Sequence, residues 1–333
     1  MARKVKLGLI GCGGFMHQHV TQISEVKSAE IAALVDPSRA SIRRMVRSYP
    51  SLARVPRFAD YRDMLAEVEL EGAVIASPHS LHFEQIMACL EAGVNVLCEK
   101  PMVCRVEQAR AVIRKAQRKK LVAMVSYQRH ADPVFRYARK LIAEGKLGRV
   151  TFVSALLAQE WLRGTKGTWR QDPELSCGGE LNDSGSHLID IILWVTGLVP
   201  ETVFARIDNC GTKVDILSAL TFTFKGGAVG NLSVVGDAPG WWEEITFYGK
   251  KGALYYRDGR LFHHVPKKSG WGATVTEVTK KLRYRSTPDK NFVNSILGKD
   301  EPQSPPECGL RVAQLTQAAW ESARVGRAVR VRG

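Results

Sequence analysis

Long hydrophobic runs are missing from this chain of 333 residues: nothing approaches the roughly 18 consecutive apolar residues of a membrane-spanning helix. Paired cysteine motifs are missing too. None of the seven cysteines forms a C-x-x-C pair, and several sit in apolar segments where a thiol acts as a small hydrophobe, so no metal site is expected. Internal repeats and low-complexity linkers are absent. The formal charge is +15, but the basic residues do not alternate with aromatics and carry no helix-turn-helix or RNA-binding pattern. They are scattered over helix faces (Arg43, Arg44, Arg47; Arg110, Arg114, Arg118) and the last residues (Arg324, Arg327, Arg330, Arg332). That distribution argues against nucleic acid as a partner and leaves an anionic small molecule open. The basic start followed by Leu7–Ile10 is too short for a signal peptide and runs into a glycine turn, so it reads as a first strand of a cytoplasmic protein.

What is present is ordinary in amount, 45% hydrophobic and 24% charged, and the length exceeds a single core, so two domains are expected. Over residues 1–125 short apolar runs alternate with helical patterns. Strands are expected at Lys6–Ile10, Ile31–Val35, Ala73–Ala76, Val94–Cys98 and Leu121–Ser126, with helices between them, which is the pattern of a parallel sheet in an α/β domain. Residues 126–333 change character. Runs at Val150–Gln159, Val203–Ile207, Leu217–Phe224, Gly230–Val235, Glu244–Phe247 and Ala253–Tyr256 are separated by glycine turns, which predicts an α+β domain with a largely antiparallel sheet. Helices are expected at about Ser186–Val195, Asn291–Leu297 and Leu310–Val325.

The turn after the first strand, Gly11-Cys-Gly13-Gly14-Phe15-Met16, carries two of the three glycines of G-x-G-x-x-G. The first permits a tight turn, and the second lets the backbone approach a pyrophosphate whose charge meets a helix N-terminus. Met16 stands at the third position and implies a looser helix–strand contact there. Asp36 ends the second strand 25 residues after Gly11, near the place of the acid that binds ribose hydroxyls. A carboxylate there repels a 2′-phosphate and favours NAD, while Arg39 moderates the preference and keeps NADP as the second choice. Ser77-Pro78-His79 follows a strand at the edge where ligands bind such sheets, with His82 in the next helical turn.

Oxidising an alcohol by hydride transfer needs a base for the hydroxyl proton and a group to hold the oxygen. Lys100, in Glu99-Lys100-Pro101, ends a buried strand, where a partly desolvated ammonium can stabilise or relay an alkoxide proton. Pro101 allows a cis bond. Asp183 and His187 stand at i, i+4, so both can share one helix face, with His187 suited to acid–base work near neutrality. Arg163, Lys166 and Arg170 are the candidates for carboxylate or phosphate contacts.

The glycine turn, Ser77-Pro78-x-x-x-His82, Glu99-Lys100-Pro101, Tyr127-Gln-Arg129-x-x-Asp132-Pro133, Trp169-Arg170 and Gly178-Gly-x-x-x-Asp183-x-Gly-x-His187-x-x-Asp190 follow one another in an order that resembles the Gfo/Idh/MocA oxidoreductases, over nearly the whole chain. The resemblance implies an N-terminal Rossmann dinucleotide-binding domain and a C-terminal domain with an open-faced sheet, whose outer face joins homodimers or homotetramers. It implies Lys100 as catalytic lysine and His187, paired with Asp183, as general base. Glu99 and Gln128 would lie near the nicotinamide ribose, and Trp169 and Arg170 near the mouth of the site. The expected activity is NAD(P)-dependent oxidation of a secondary alcohol of a sugar, sugar derivative or cyclitol, with Lys100 and His187 converging on the nicotinamide in a cleft between the domains. The rivals are a catalytically idle dinucleotide sensor and a reductase of an imine, tetrapyrrole or dihydrodiol.

Overall fold

The structure is a computed structural model that describes residues 3–269, 271–278, 282 and 286–332. Its chain divides into two compact units, Met1–Gln128 with Ser286–Leu310, and Arg129–Arg285 with Arg311–Gly333.

In the first unit the apolar runs become strands β1 (Val5–Ile10), β2 (Ala29–Val35), β3 (Arg57–Phe58), β4 (Gly72–Ile75), β5 (Asn95–Cys98) and β6 (Ala123–Val125). They form one sheet of order β3-β2-β1-β4-β5-β6, parallel throughout. The runs are continuous because helices cover both faces of such a sheet, and Leu7, Leu9, Val74 and Leu97 are fully buried. Helices Gly14–Ser24 and Pro288–Ile296 pack against one another, the second arriving from far along the chain. Met16, Val20 and Ile23 on the first and Phe292 and Val293 on the second enter the same core as Leu7 and Leu34. Met16 is completely buried, so its side chain fills the space that the absent third glycine was expected to loosen. Burying a side chain of that size stabilises by about 1.5–3 kcal/mol. Strand order reverses between β1 and β4, which opens a crevice at the carboxyl ends of those strands.

The second unit is built on nine strands: β7 (Val150–Ala158), β8 (Pro200–Asp208), β9 (Leu217–Phe224), β10 (Val229–Val235), β11 (Trp242–Gly249), β12 (Gly252–Arg257), β13 (Arg260–Pro266), β14 (Ala273–Glu277) and β15 (Val329–Arg330). Their order is β14-β13-β12-β11-β7-β10-β9-β8-β15, antiparallel except for the parallel pair β7–β10. The antiparallel expectation therefore holds with one exception, which the apolar runs gave no way to see. Lys225-Gly226-Gly227 joins β9 to β10 with both glycines at positive φ, +90° and +85°, the left-handed turn a tight hairpin demands. Burial alternates along β8, β9 and β10, so one face is covered and the other open. Helix Gly185–Thr196 lies against β7 and β10, with helix Pro133–Ala143 packed on it. β13, β14 and β15 lie outside the expected strands; they are short or half exposed, and their patterns are correspondingly weak.

Candidate active site

In the first unit the groups singled out from the sequence gather at the reversal between β1 and β4. Gly11 has φ +89°, and a Cβ there would lie 2.8 Å from the Ala76 and Ser77 backbone, so only glycine fits. Gly13 caps helix Gly14–Ser24 with no side-chain acceptor, and a Cβ on Gly13 or Gly14 would meet nothing within 4 Å. The turn thus presents unshielded amide donors at a helix N-terminus above open space, which fits a dinucleotide pyrophosphate. Phe15 is exposed beside it, its ring centroid 5.8 Å from Lys100 Nζ. The Cys12 amide donates to Asp36 Oδ2 at 2.8 Å, and the Ser38 amide donates to Oδ1 at 2.7 Å. These bonds fix the carboxylate beside the turn, where ribose hydroxyls would find an acceptor. Burial first, then Asp36, pushes the Cys12 thiol up to about 12, so this thiol stays neutral. Arg39 is exposed at the start of helix Arg39–Ser48.

Across the reversal, Ser77 Oγ donates to Gln85 Oε1 at 2.6 Å, and Pro78 leads to the buried His79. His82 is fully buried, with Nδ1 2.8 Å from Pro101 O and Nε2 2.9 Å from Ser77 O. Burial pushes its pKa down. The ring lies between the Ser77 and Pro101 carbonyls and, when neutral, donates its single N–H to one of them, so it spans the two loops. Lys100 is 6% exposed at the end of β5, before a cis peptide to Pro101. Glu99 is buried beside it, whereas Gln128, which opens a 3-10 turn, is exposed.

The second unit gathers a different set. Asp183 is 4% exposed, and its Oδ2 accepts from Trp161 Nε1 at 2.9 Å and from Arg170 Nε at 3.0 Å. Arg170 also lies over the Trp169 ring, 4.6 Å from its centroid. Asp183 and His187 do not share a single helix as their spacing suggested. Asp183 ends the short helix Glu180–Asp183, and His187 stands in the first turn of Gly185–Thr196, with Ser184 between. His187 is half-buried and Asp183 buried. The segment is held from below by Asp215, which accepts from the amides of Gly179 at 2.9 Å and Leu181 at 2.7 Å and from Trp320 Nε1 at 3.1 Å. Arg163 and Lys166 are exposed, and Arg163 pairs with Glu160, so neither belongs to the buried cluster around Asp183.

Sequence reasoning missed four side chains. Trp161 and its bond to Asp183 had no signal, since an isolated tryptophan is usually core. Glu180 is completely buried; burial first, with the Asp215 and Asp183 charges adding and Gln159 partly offsetting, pushes its carboxyl up to about 9. His19 and Asp289, buried behind Glu99, were also missed. The one available hint was that His19 falls on the face of its helix carrying Met16, Val20 and Ile23.

Two family models match. One, described as the oxidoreductase family, NAD-binding Rossmann fold, covers residues 5–127, and the other, the GFO/IDH/MocA C-terminal domain, covers residues 135–255. Among curated proteins the chain is 30% identical over 217 residues to glucose-6-phosphate 3-dehydrogenase of Bacillus subtilis, covering 63% of this chain and 60% of that one. It thus spans less than two thirds of that relative. It is 24% identical to scyllo-inositol 2-dehydrogenase (NADP(+)) of the same bacterium over 98% of this chain and 95% of the relative. Among solved structures, the WlbA dehydrogenase of Bordetella pertussis, in complex with NADH and UDP-GlcNAcA, superposes with a TM-score of 0.86 at 23% identity, covering 100% of this chain and 99% of that one.

Proposed function

This chain belongs to the Gfo/Idh/MocA oxidoreductase family, and we propose that it is an NAD(H)-dependent dehydrogenase acting on a secondary alcohol of a sugar, sugar derivative or cyclitol. The observation that carries the reading is Lys100, a buried cation at the end of the strand next to the crevice that the glycine turn opens. Bound there, the nicotinamide supplies a hydride acceptor for the alcohol carbon, or a donor in the reverse direction.

This chain's residues do the rest. Gly11, Gly13 and Gly14 bind the pyrophosphate through backbone amides, Phe15 and Met16 shape the turn, and Asp36 accepts from the ribose, with Arg39 at its rim. Ser77, Pro78 and His79 line the opposite lip, while Glu99 and Gln128 approach the nicotinamide ribose. His82 contributes by bracing the Ser77 and Pro101 loops. Lys100 holds the substrate oxygen and stabilises its anionic character. His187 takes the hydroxyl proton in oxidation and returns it in reduction. Asp183, fixed by Trp161 and Arg170, orients the histidine or the substrate. Trp169 and Arg170 form one wall of the substrate's approach.

The net charge of +15, and a relative named for a sugar phosphate, favour an anionic substrate, for which Arg170 and the exposed Arg163 are the contacts to test. The exposed Phe204, Trp242, Tyr248, Val265 and Val275 on the strands of the second unit support a homodimer or homotetramer formed through that sheet. No helix among the described residues is long and apolar enough to cross a membrane, consistent with a cytoplasmic setting.

The test is a panel of sugar phosphates, uronic acids, aldoses and polyols, each with NAD and with NADP, followed by nicotinamide absorbance. The proposal expects turnover with at least one of them and preference for NAD. Bound NADH with no redox change on any member would overturn it in favour of a sensor.

A further inference from the structure

Behind Lys100 lies a chain of buried ionisable groups that the reaction above does not use. His19 is 4% exposed and stands with Nδ1 2.9 Å from Asp289 Oδ1 and Nε2 3.1 Å from Glu99 Oε1. A neutral imidazole has one N–H and could donate to only one carboxylate, turning a lone pair on the other. With both carboxylates ionised, only the imidazolium satisfies both. Glu99 Oε2 accepts from the Lys100 amide at 3.2 Å, and the Ser126 side chain also donates to this carboxylate.

The three groups come from three elements. His19 rides on the helix whose first turn is the glycine turn, Glu99 ends β5, and Asp289 opens helix Pro288–Ile296. The charged groups facing this point are Asp289 from its helix and Glu99 and Lys100 from the end of β5. His82 and Cys98 beside them stay uncharged, the first because burial lowers its pKa and the second because burial raises it. Without a charge on His19, two buried carboxylates would face a single ammonium.

We propose that His19 is a positioning residue: as a buried imidazolium bridging Asp289 and Glu99 it keeps Glu99 ionised and aimed, and through Glu99 it fixes Lys100 relative to the cofactor turn on its own helix. Burial opposes the charge on His19, but Asp289 and Glu99 outweigh it and raise its pKa to about 10. Burial likewise opposes charge on Glu99, and His19, Lys100 and Ser126 outweigh it, so its pKa lies below the usual value. The inference rests on Lys100 serving the proton route described above.

Two measurements test it, one independent of turnover. Side-chain nitrogen NMR of the wild-type protein, with His19 identified by the signal lost in His19→Gln, should find both ring nitrogens protonated from pH 6 through about pH 9. A His19 that titrates near 6.5 overturns the proposal, even if no substrate is ever found. In turnover, His19→Gln should lose about 10–100-fold in kcat with the acid limb of the pH–rate profile moved to higher pH. An unchanged profile contradicts the positioning role. Should His19→Gln fail to fold, Asp289→Asn leaves the Glu99 contact in place and should move His19's titration downward toward neutrality. Asp289→Asn that leaves that titration where it was in the wild type also contradicts the proposal.

Discussion

Each unit buries a glutamate beside its candidate catalytic group, and the two are kept in opposite states. Glu99, 9% exposed, is surrounded by His19, Lys100 and Ser126 and stays a carboxylate. Glu180, 0% exposed, has Asp183 and Asp215 as its charged neighbours and holds its proton up to about pH 9. Burial disfavours the anion in both places, so burial cannot be what distinguishes them. The sign of the neighbouring charge decides. The glycines differ in the same instructive way. In the first unit Gly13 and Gly14 face open space, as a turn that receives a ligand should. In the second, Gly178 is pressed against Trp320 and Gly179 against the Asp215 backbone, so these glycines serve the packing of the protein itself.

The largest effect that probes the division of labour is catalytic. Lys100→Ala in the first unit and Asp183→Asn in the second should each cost about 10²–10⁴-fold in kcat, measured by nicotinamide absorbance. A loss confined to one unit would break the comparison.

Next come the glycines. Gly179→Ala should lower stability by about 1–3 kcal/mol in denaturant unfolding, because its methyl would collide with the Asp215 backbone. Gly13→Ala, at φ −77° with nothing nearby, should unfold like the wild type and yet bind NADH more weakly by titration. Equal stability losses in the two would erase the distinction.

A smaller effect concerns the cofactor. Asp36→Asn removes the charge that repels a 2′-phosphate and weakens one acceptor, so the ratio of kcat/KM for NADP over NAD should rise about 10–100-fold.

An effect seen only across a pH series is the response of Glu180. Its folded pKa of about 9 lies above the ordinary value of 4.5, so the folded state holds a proton that the unfolded chain releases. Stability contributed by that proton is full below about pH 4.5 and is lost as pH rises toward 9. Glu180→Gln keeps the neutral form throughout, so its melting temperature should match the wild type near pH 5 and exceed it increasingly up to pH 9. A gap that is flat with pH would mean Glu180 is already ionised at neutrality.

The parts of this picture legible in the sequence are those encoded locally. β1, the Gly11 turn and Asp36 lie within 36 residues, and each has its own backbone or charge requirement. Leu217–Phe224 and Gly230–Val235 were readable as paired strands because two glycines announce the turn between them. The groups that set charge were not legible, because they meet only after folding. His19 and Asp289 are 270 positions apart. The return of residues 286–310 to the first unit has no mark in composition, since helix Pro288–Ile296 reads as any amphipathic helix would. Glu180 is one residue in a glycine-rich run until Asp215, from the loop before β9, closes on it. The parallel β7–β10 pair was hidden for a similar reason: strand direction depends on where intervening residues travel, not on the strands' own pattern.

In the proposed reaction Lys100 holds the substrate oxygen while His187 moves its proton, so both side chains serve one chemical step. The most direct test is kcat for Lys100→Ala, His187→Ala and the double variant on the best substrate from the panel. Groups that act as a unit are non-additive, so the double variant should be about as slow as the worse single one. Losses that multiply, or a single variant that retains wild-type kcat, would contradict the claim.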